Sequence, residues 1–148
     1  MKKLYPPHNV KGKTVALVGM GPSVMDIFNE TLTQECSPGS FADEVWAINM
    51  TANAIRSDLI IWMDDLEQQQ NFKPGLFELL RKYGIPVLTS MARRDIVPTS
   101  YDYPVDEIAA IGIAVFGKPY LNNGVAMAIG YALWKGVKAL KIYGADFT

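Results

Sequence analysis

The sequence predicts an α/β fold, a single Rossmann-like three-layer domain around a mostly parallel sheet. Short apolar runs rich in Val and Ile recur along the chain, each followed by turn residues and then by a longer segment with helical spacing. The runs are apolar at consecutive positions, as suits strands covered on both faces. The chain has 148 residues, of which 49 % are hydrophobic and 20 % charged, enough for one domain with a real core.

The runs are Thr14–Val18, Glu44–Ile48, Leu59–Met63, Pro86–Ser90 and Ala139–Gly144. Before the first, residues 1–13 read as an N-terminal extension. Ser23–Gln34 reads as the first helix, started by Pro22 or Ser23. Thr51–Ser57 is expected as a short helix. Pro74–Tyr83 places Leu76, Leu79, Leu80 and Tyr83 on one face, with Pro in its first turn and Gly84 just past its end. From Met91 to Tyr120 the pattern loosens around Pro98, Pro104 and Pro119, and residues 91–120 read as an irregular lid or binding loop. Within it, IAAIGIAVF reads as a further strand. Asn122–Gly136 is expected as a helix whose small residues, Gly124, Ala126, Ala128, Gly130 and Ala132, let it sit close to the sheet. No internal repeat or second domain is visible.

Composition excludes several function classes. Fourteen basic and fifteen acidic side chains give a net charge of −1, so no basic excess is present to hold bulk nucleic acid by counterion release. The start MKKLYPPHNVKGK has basic residues but no apolar stretch, and no segment approaches the roughly 18 apolar residues of a membrane span. These features read as a cytoplasmic protein. Cys36 alone cannot form an internal disulfide, and His8, the one histidine, cannot build a His-rich metal site. Both read as bystanders.

In an open α/β sheet ligands bind beyond the carboxyl ends of the strands, so the residues after each run carry the functional information. After the first run, GMGPS supplies Gly19, Gly21, Pro22 and Ser23. Glycines between strand and helix let backbone N–H groups approach a phosphate, and the helix start adds positive charge. The loop lacks the third glycine of a dinucleotide fingerprint and the lysine of a P-loop, and a tight turn without a ligand is its less favoured alternative. No redox cofactor is expected. Asn49 and Asn53, with amides that both donate and accept, are candidates for contacts to ribose, base or sugar, or are simple turn residues.

Asp64 and Asp65 form an acidic pair after the third run. Such carboxylates can hold Mg²⁺ against a diphosphate; the alternative is a cap on the following LEQQQNF segment. Arg93 and Arg94, past the fourth run, are candidates for neutralising phosphate charge. Asn122, Asn123 and Gly124 open the later helix and could face GMGPS as a second anion cradle. Asp146, after the last run, is a candidate catalytic carboxylate or metal ligand.

Taken in order, VGMGPSV, WAINMTA, IIWMDD and NNGVAMAIGYALWKGVKALKIYGADF resemble the Rossmann-like domain of family 42 sialyltransferases. They are similar also to the group that includes archaeal 6-hydroxymethylpterin pyrophosphokinases and motility accessory factors; the resemblance spans Thr14 to Phe147. It implies that Gly19, Gly21, Pro22, Ser23 and Asn49 line a nucleotide pocket, that Asn123 and Gly124 match the turn opening the later helix, and that Gly144, Asp146 and Phe147 match a Gly-x-Asp-Phe strand end. Family 42 enzymes have Ser or Thr before the helix-turn glycine, where Asn122 and Asn123 stand here. They continue past that strand to tyrosines and a catalytic histidine, whereas this sequence ends at Thr148 and His8 is not in the matching place. A compact relative and a fragment of a longer chain are both expected possibilities. The pyrophosphokinase branch uses carboxylates and Mg²⁺, loosely matched by Asp58, Asp64 and Asp65.

The expected function is therefore a nucleotide-binding or nucleotide-sugar-binding transferase, glycosyltransferase-like. Asp146 or Asp64 would act as the catalytic carboxylate, and Asp64 and Asp65 would take Mg²⁺. The alternatives are an Mg²⁺-dependent pyrophosphokinase-like enzyme and a nucleotide-binding module without turnover. A homo-oligomer is left open.

Overall fold

The computed structural model describes residues 2–33, 41–119 and 121–146, apart from the side chains of residues 30–33 and 53. Gln34, Cys36, Tyr120, Phe147 and the Asn53 side chain, all singled out in the sequence, lie outside the described residues. In chain order the elements are β1 (Thr14–Val18), α1 (Val24–Thr33), β2 (Glu44–Ile48), a 3-10 turn (Asn49–Asn53), β3 (Leu59–Ile61), α2 (Leu66–Phe72) and α3 (Pro74–Tyr83). They continue with β4 (Val87–Thr89), β5 (Ser100–Asp102), α4 (Val105–Phe116), α5 (Gly124–Lys135) and β6 (Ala139–Tyr143).

The six strands form one sheet in the order β5-β4-β3-β2-β1-β6, every neighbouring pair parallel. The chain therefore steps outward from β1 to β5 and then crosses back over the sheet to lay β6 on the other side of β1. A right-handed crossover taken in the opposite direction must lie on the opposite face. The two faces bear this out. Val15 and Leu17 of β1, with Trp46, Ile48, Leu59 and Ile61, pack with Ile108 of α4 and with Ala128, Tyr131 and Ala132 of α5. The alternate residues Ala16 and Val18 pack with Ile27 of α1, while Ile60, Trp62 and Val87 pack with Leu66 of α2 and Leu76, Phe77 and Leu80 of α3. Three layers result.

Three expectations need correction. Residues 91–120 are not one irregular loop, because they supply both β5 and α4. The segment IAAIGIAVF is helical and not a strand. Asp106 and Glu107 favour a helix start in its first turn, Pro104 stands just ahead, and Gly117 closes the helix in the left-handed conformation at φ 76°. Thr51–Ser57 likewise forms no helix of its own; the short turn begins earlier, at Asn49, and ends at Asn53.

Residues 2–13 are a strap bound across the α5 side of the sheet. The Leu4 carbonyl accepts from the Asp102 N–H (2.8 Å), the Tyr5 hydroxyl donates to Glu107 (2.9 Å), Val10 is fully buried, and the Gly12 N–H donates to the Gly136 carbonyl (2.8 Å). His8 is the strap's central pin. Its Nδ1 lies 2.9 Å from Glu44 Oε1 and its Nε2 lies 2.9 Å from the Tyr131 hydroxyl, so it is no bystander to the fold. No helix among the described residues is long and apolar enough to cross a membrane.

Candidate functional site

Strand order reverses at β1 and β6, and in open parallel sheets the crevice beyond the carboxyl ends at such a reversal is the usual ligand position. Gly19–Ser23 leaves β1 at this corner and Gly144–Asp146 leaves β6. The two segments lie directly against each other. The Gly19 N–H donates to the Tyr143 carbonyl and the Gly21 N–H to the Gly144 carbonyl, both at 2.8 Å. A Cβ placed on Gly19 would stand 2.5 Å from the Gly144 oxygen, and one on Gly21 would stand 2.8 Å from Asp146 Oδ1. The bareness of GMGPS is thus required by the neighbouring backbone of β6.

Ser23 joins the two segments. Its hydroxyl accepts from the Gly144 N–H (2.9 Å) and donates to Asp146, whose carboxylate also accepts from the Ser23 backbone N–H (3.1 Å). Hydrogen bonds from Ser23 hold the Asp146 carboxyl below the usual carboxylate range. Asp146 is therefore an internal anion at the start of α1, a position that favours negative charge.

Next to this corner, β2 ends at Ile48 and passes into Asn49, whose φ of 52° is the one left-handed value at a non-glycine among the described residues. Gly124 opens α5 so close to β2 that a Cβ on it would lie 3.5 Å from Ile48 Cγ2. Asn123 caps that helix, its side-chain oxygen accepting from the Ala126 N–H (2.8 Å), and Asn122 is exposed just ahead of it. Thr51, two residues beyond Asn49, is 4 % exposed and its hydroxyl has no hydrogen-bond partner. An unpartnered hydroxyl has no signature in a local sequence pattern.

The remaining candidates are spread along the same edge. Asp65 caps α2, one carboxylate oxygen accepting from the N–H groups of Glu67 (2.8 Å) and Gln68 (3.2 Å). Asp64 stands exposed at the carboxyl end of β3, two strands from β1. Among the described residues no three His, Cys, Asp or Glu side chains converge as metal ligands. Arg93 follows β4, three strands and about 14 Å from β1 across the sheet. Its guanidinium is gripped by Asp95 (2.8 and 3.0 Å) and Glu67 (2.8 Å). Arg94 lies over the Tyr101 ring at 4.7 Å. The arginines are not brought to the β1–β6 corner.

Two depressions open at the opposite, amino edge of the sheet. One, of about 760 Å³, lies between the β2–β3 connection and α3; the other, of about 340 Å³, lies beside His8, Glu44 and Asp58. The smaller is confined to that edge, whereas the larger runs along the β2–β3 connection from Ala52, in the turn after β2, to Gly84–Pro86 ahead of β4. Comparison with protein-family models, curated proteins and solved structures finds no match to the chain.

Proposed function

We propose that the chain binds a nucleotide or nucleotide sugar at the carboxyl edge, between the start of α1 and the start of α5, and acts as a glycosyltransferase-like transferase. The observation that carries this reading is Asn49, held at φ 52° where β2 ends and beside the glycine that opens α5. A non-glycine residue in that conformation is costly and persists where its surroundings impose it, which is common at ligand sites. The Asn49 amide offers one donor pair and one acceptor to a base or ribose hydroxyl, and the buried Thr51 hydroxyl lies two residues on.

In this arrangement the first N–H groups of α5 face the phosphates, and Asp146 supplies the basic carboxylate. Ionised, it can accept a proton from an acceptor hydroxyl, and the hydrogen bonds from Ser23 that lower its pKa weaken it as a base. Asp64 is the carboxylate free of a capping role, and with diphosphate oxygens it could share Mg²⁺, which commonly takes only one or two protein carboxylates. Asp65, Arg93 and Arg94 have no part in this scheme.

The alternative is a binding module without turnover, and in either case the phosphate does not sit on the β1 loop. The N–H groups of Gly19 and Gly21 are already engaged by carbonyls of β6 and the following turn, so GMGPS presents neither of them to a phosphate. A thermal-shift panel of CMP, UDP, GDP, ADP and ATP with their sugar conjugates, with and without Mg²⁺, tests the pocket. A base-selective rise in Tm that Asn49→Ala removes supports it, and an unmoved transition at millimolar nucleotide overturns it. Turnover of a bound sugar conjugate that is lost in Asp146→Asn separates the transferase from the module.

A further inference from the structure

The 760 Å³ depression at the amino edge has a definite origin in the chain path. Parallel neighbours usually need a crossover of a dozen or more residues, most often with a helix that covers the strands. The β2–β3 connection, residues 49–58, carries only the 3-10 turn Asn49–Asn53. The sheet beside α3 is consequently left without a covering helix, and a groove remains.

Its lining divides into three parts. Ile60 and Leu80 are buried and form an apolar base, while Leu79 and Tyr83 of α3, at 44 % and 64 % exposed, form an open apolar wall. Arg56 lines the other side, exposed and without an ion-pair partner among the described residues; Asp58 is fixed nearby by accepting from the Val45 N–H (2.8 Å). Ser57 lines the groove between them. It is 7 % exposed, and its hydroxyl has no hydrogen-bond partner. That oxygen is closed to water, so Ser57 contributes to the floor of the groove and not a polar contact.

We infer that this groove binds a small organic anion with an apolar, ring-sized body. The body lies on Leu79, Leu80 and Tyr83, and the anionic group meets the exposed Arg56 guanidinium. The volume falls within the range of roughly 300–1,000 Å³ typical of small-molecule sites. Asn49 and Asp146 do not line the groove, although Ala52 of the Asn49–Asn53 turn does.

The test is fluorescence titration of the full chain with 1-anilinonaphthalene-8-sulfonate, whose rings and sulfonate match both halves of the groove, with naphthalene-2-carboxylate as competitor. Saturable one-site binding is expected, displaced by the carboxylate. Arg56→Ala should weaken it about tenfold through loss of a charge-assisted contact, and Leu79→Glu should abolish it. Both positions are exposed, so circular dichroism should show both variants folded. Ile113→Ser, on the exposed apolar surface of α4, is the control and should leave affinity unchanged. The proposal is overturned by absence of saturable binding, by equal binding in Leu79→Glu, or by loss of binding only in Ile113→Ser.

Discussion

Asp146 closes the amino end of α1 through Ser23, accepting from both the backbone N–H and the hydroxyl of that residue, 123 positions away in the chain. Where a bound phosphate would stand in a glycine-loop nucleotide site, this fold places its own carboxylate. Folding favours the ionised form, because the Ser23 hydrogen bonds hold Asp146 below its ordinary range. Its contribution to stability is therefore present above the unfolded pKa of about 3.9 and is lost as pH falls through the lower folded value. Asp146→Asn should lower Tm at pH 7, and its deficit relative to the parent should shrink as pH falls below the ordinary carboxylate range. Equal deficits at pH 7 and pH 2.5 would show that charge is not what the pair contributes.

The glycines of GMGPS answer to the same contact. A Cβ on Gly19 would stand 2.5 Å from the Gly144 oxygen, and backbone cannot swing aside as a flexible side chain can. Gly19→Ala should destabilise the protein by about 1–3 kcal/mol, as overpacking does, with no ligand present. Chemical denaturation measures this directly. A neutral effect would mean that the β1 and β6 exits separate readily.

The strap supplies a third prediction. An ionised Glu44 can only accept, so His8 Nδ1–H donates to it, and Nε2 pairs with the Tyr131 hydroxyl at 2.9 Å. Tyr131→Phe removes that hydroxyl from a buried site and should cost about 1 kcal/mol in denaturant unfolding. Burial pushes Glu44 upward, but hydrogen bonds from His8 and the Trp46 indole outweigh it and leave the carboxyl below its ordinary value. The stabilisation from Glu44 is accordingly present above its unfolded pKa and lost on acidification. Glu44→Gln should show a deficit at pH 7 that narrows below about pH 4, and a deficit that widens there would reverse the sign argued here.

The four strands β1 to β4 were legible because each is buried on both faces and so is apolar along its length, as in TVALV and EVWAI. β5 was not. It is Ser100–Asp102, a polar edge strand held by ladder bonds to β4 and by Leu4, and neither partner is near it in sequence. α4 read as a strand because Ile, Ala and Val fill nearly every position from Ile108 onward, which erases the helical period. At the site, Ser23 and Asp146 were each visible as polar residues after a run. Their contact was not, since it depends on β6 lying beside β1, a fact of strand order with no local signature. The capping role of Asp65 was visible as an alternative to metal binding, and local hydrogen bonding decides for the cap.

The conformation of Asn49 allows its local backbone cost and its proposed ligand role to be separated. At φ 52° asparagine carries a modest penalty, glycine carries almost none, and a β-branched residue carries the most. Asn49→Gly should therefore leave stability unchanged or raise it by up to about 1 kcal/mol, whereas Asn49→Val should lower it by about 1–2 kcal/mol. If the amide contacts a nucleoside, Asn49→Gly must lose the ligand-induced rise in Tm while keeping or improving the Tm of the free protein. That opposite movement of stability and affinity is the result expected of a residue held in a costly conformation for binding. If both variants lose stability and the ligand response is untouched, Asn49 serves the turn alone, and the nucleotide pocket loses the observation that carries it.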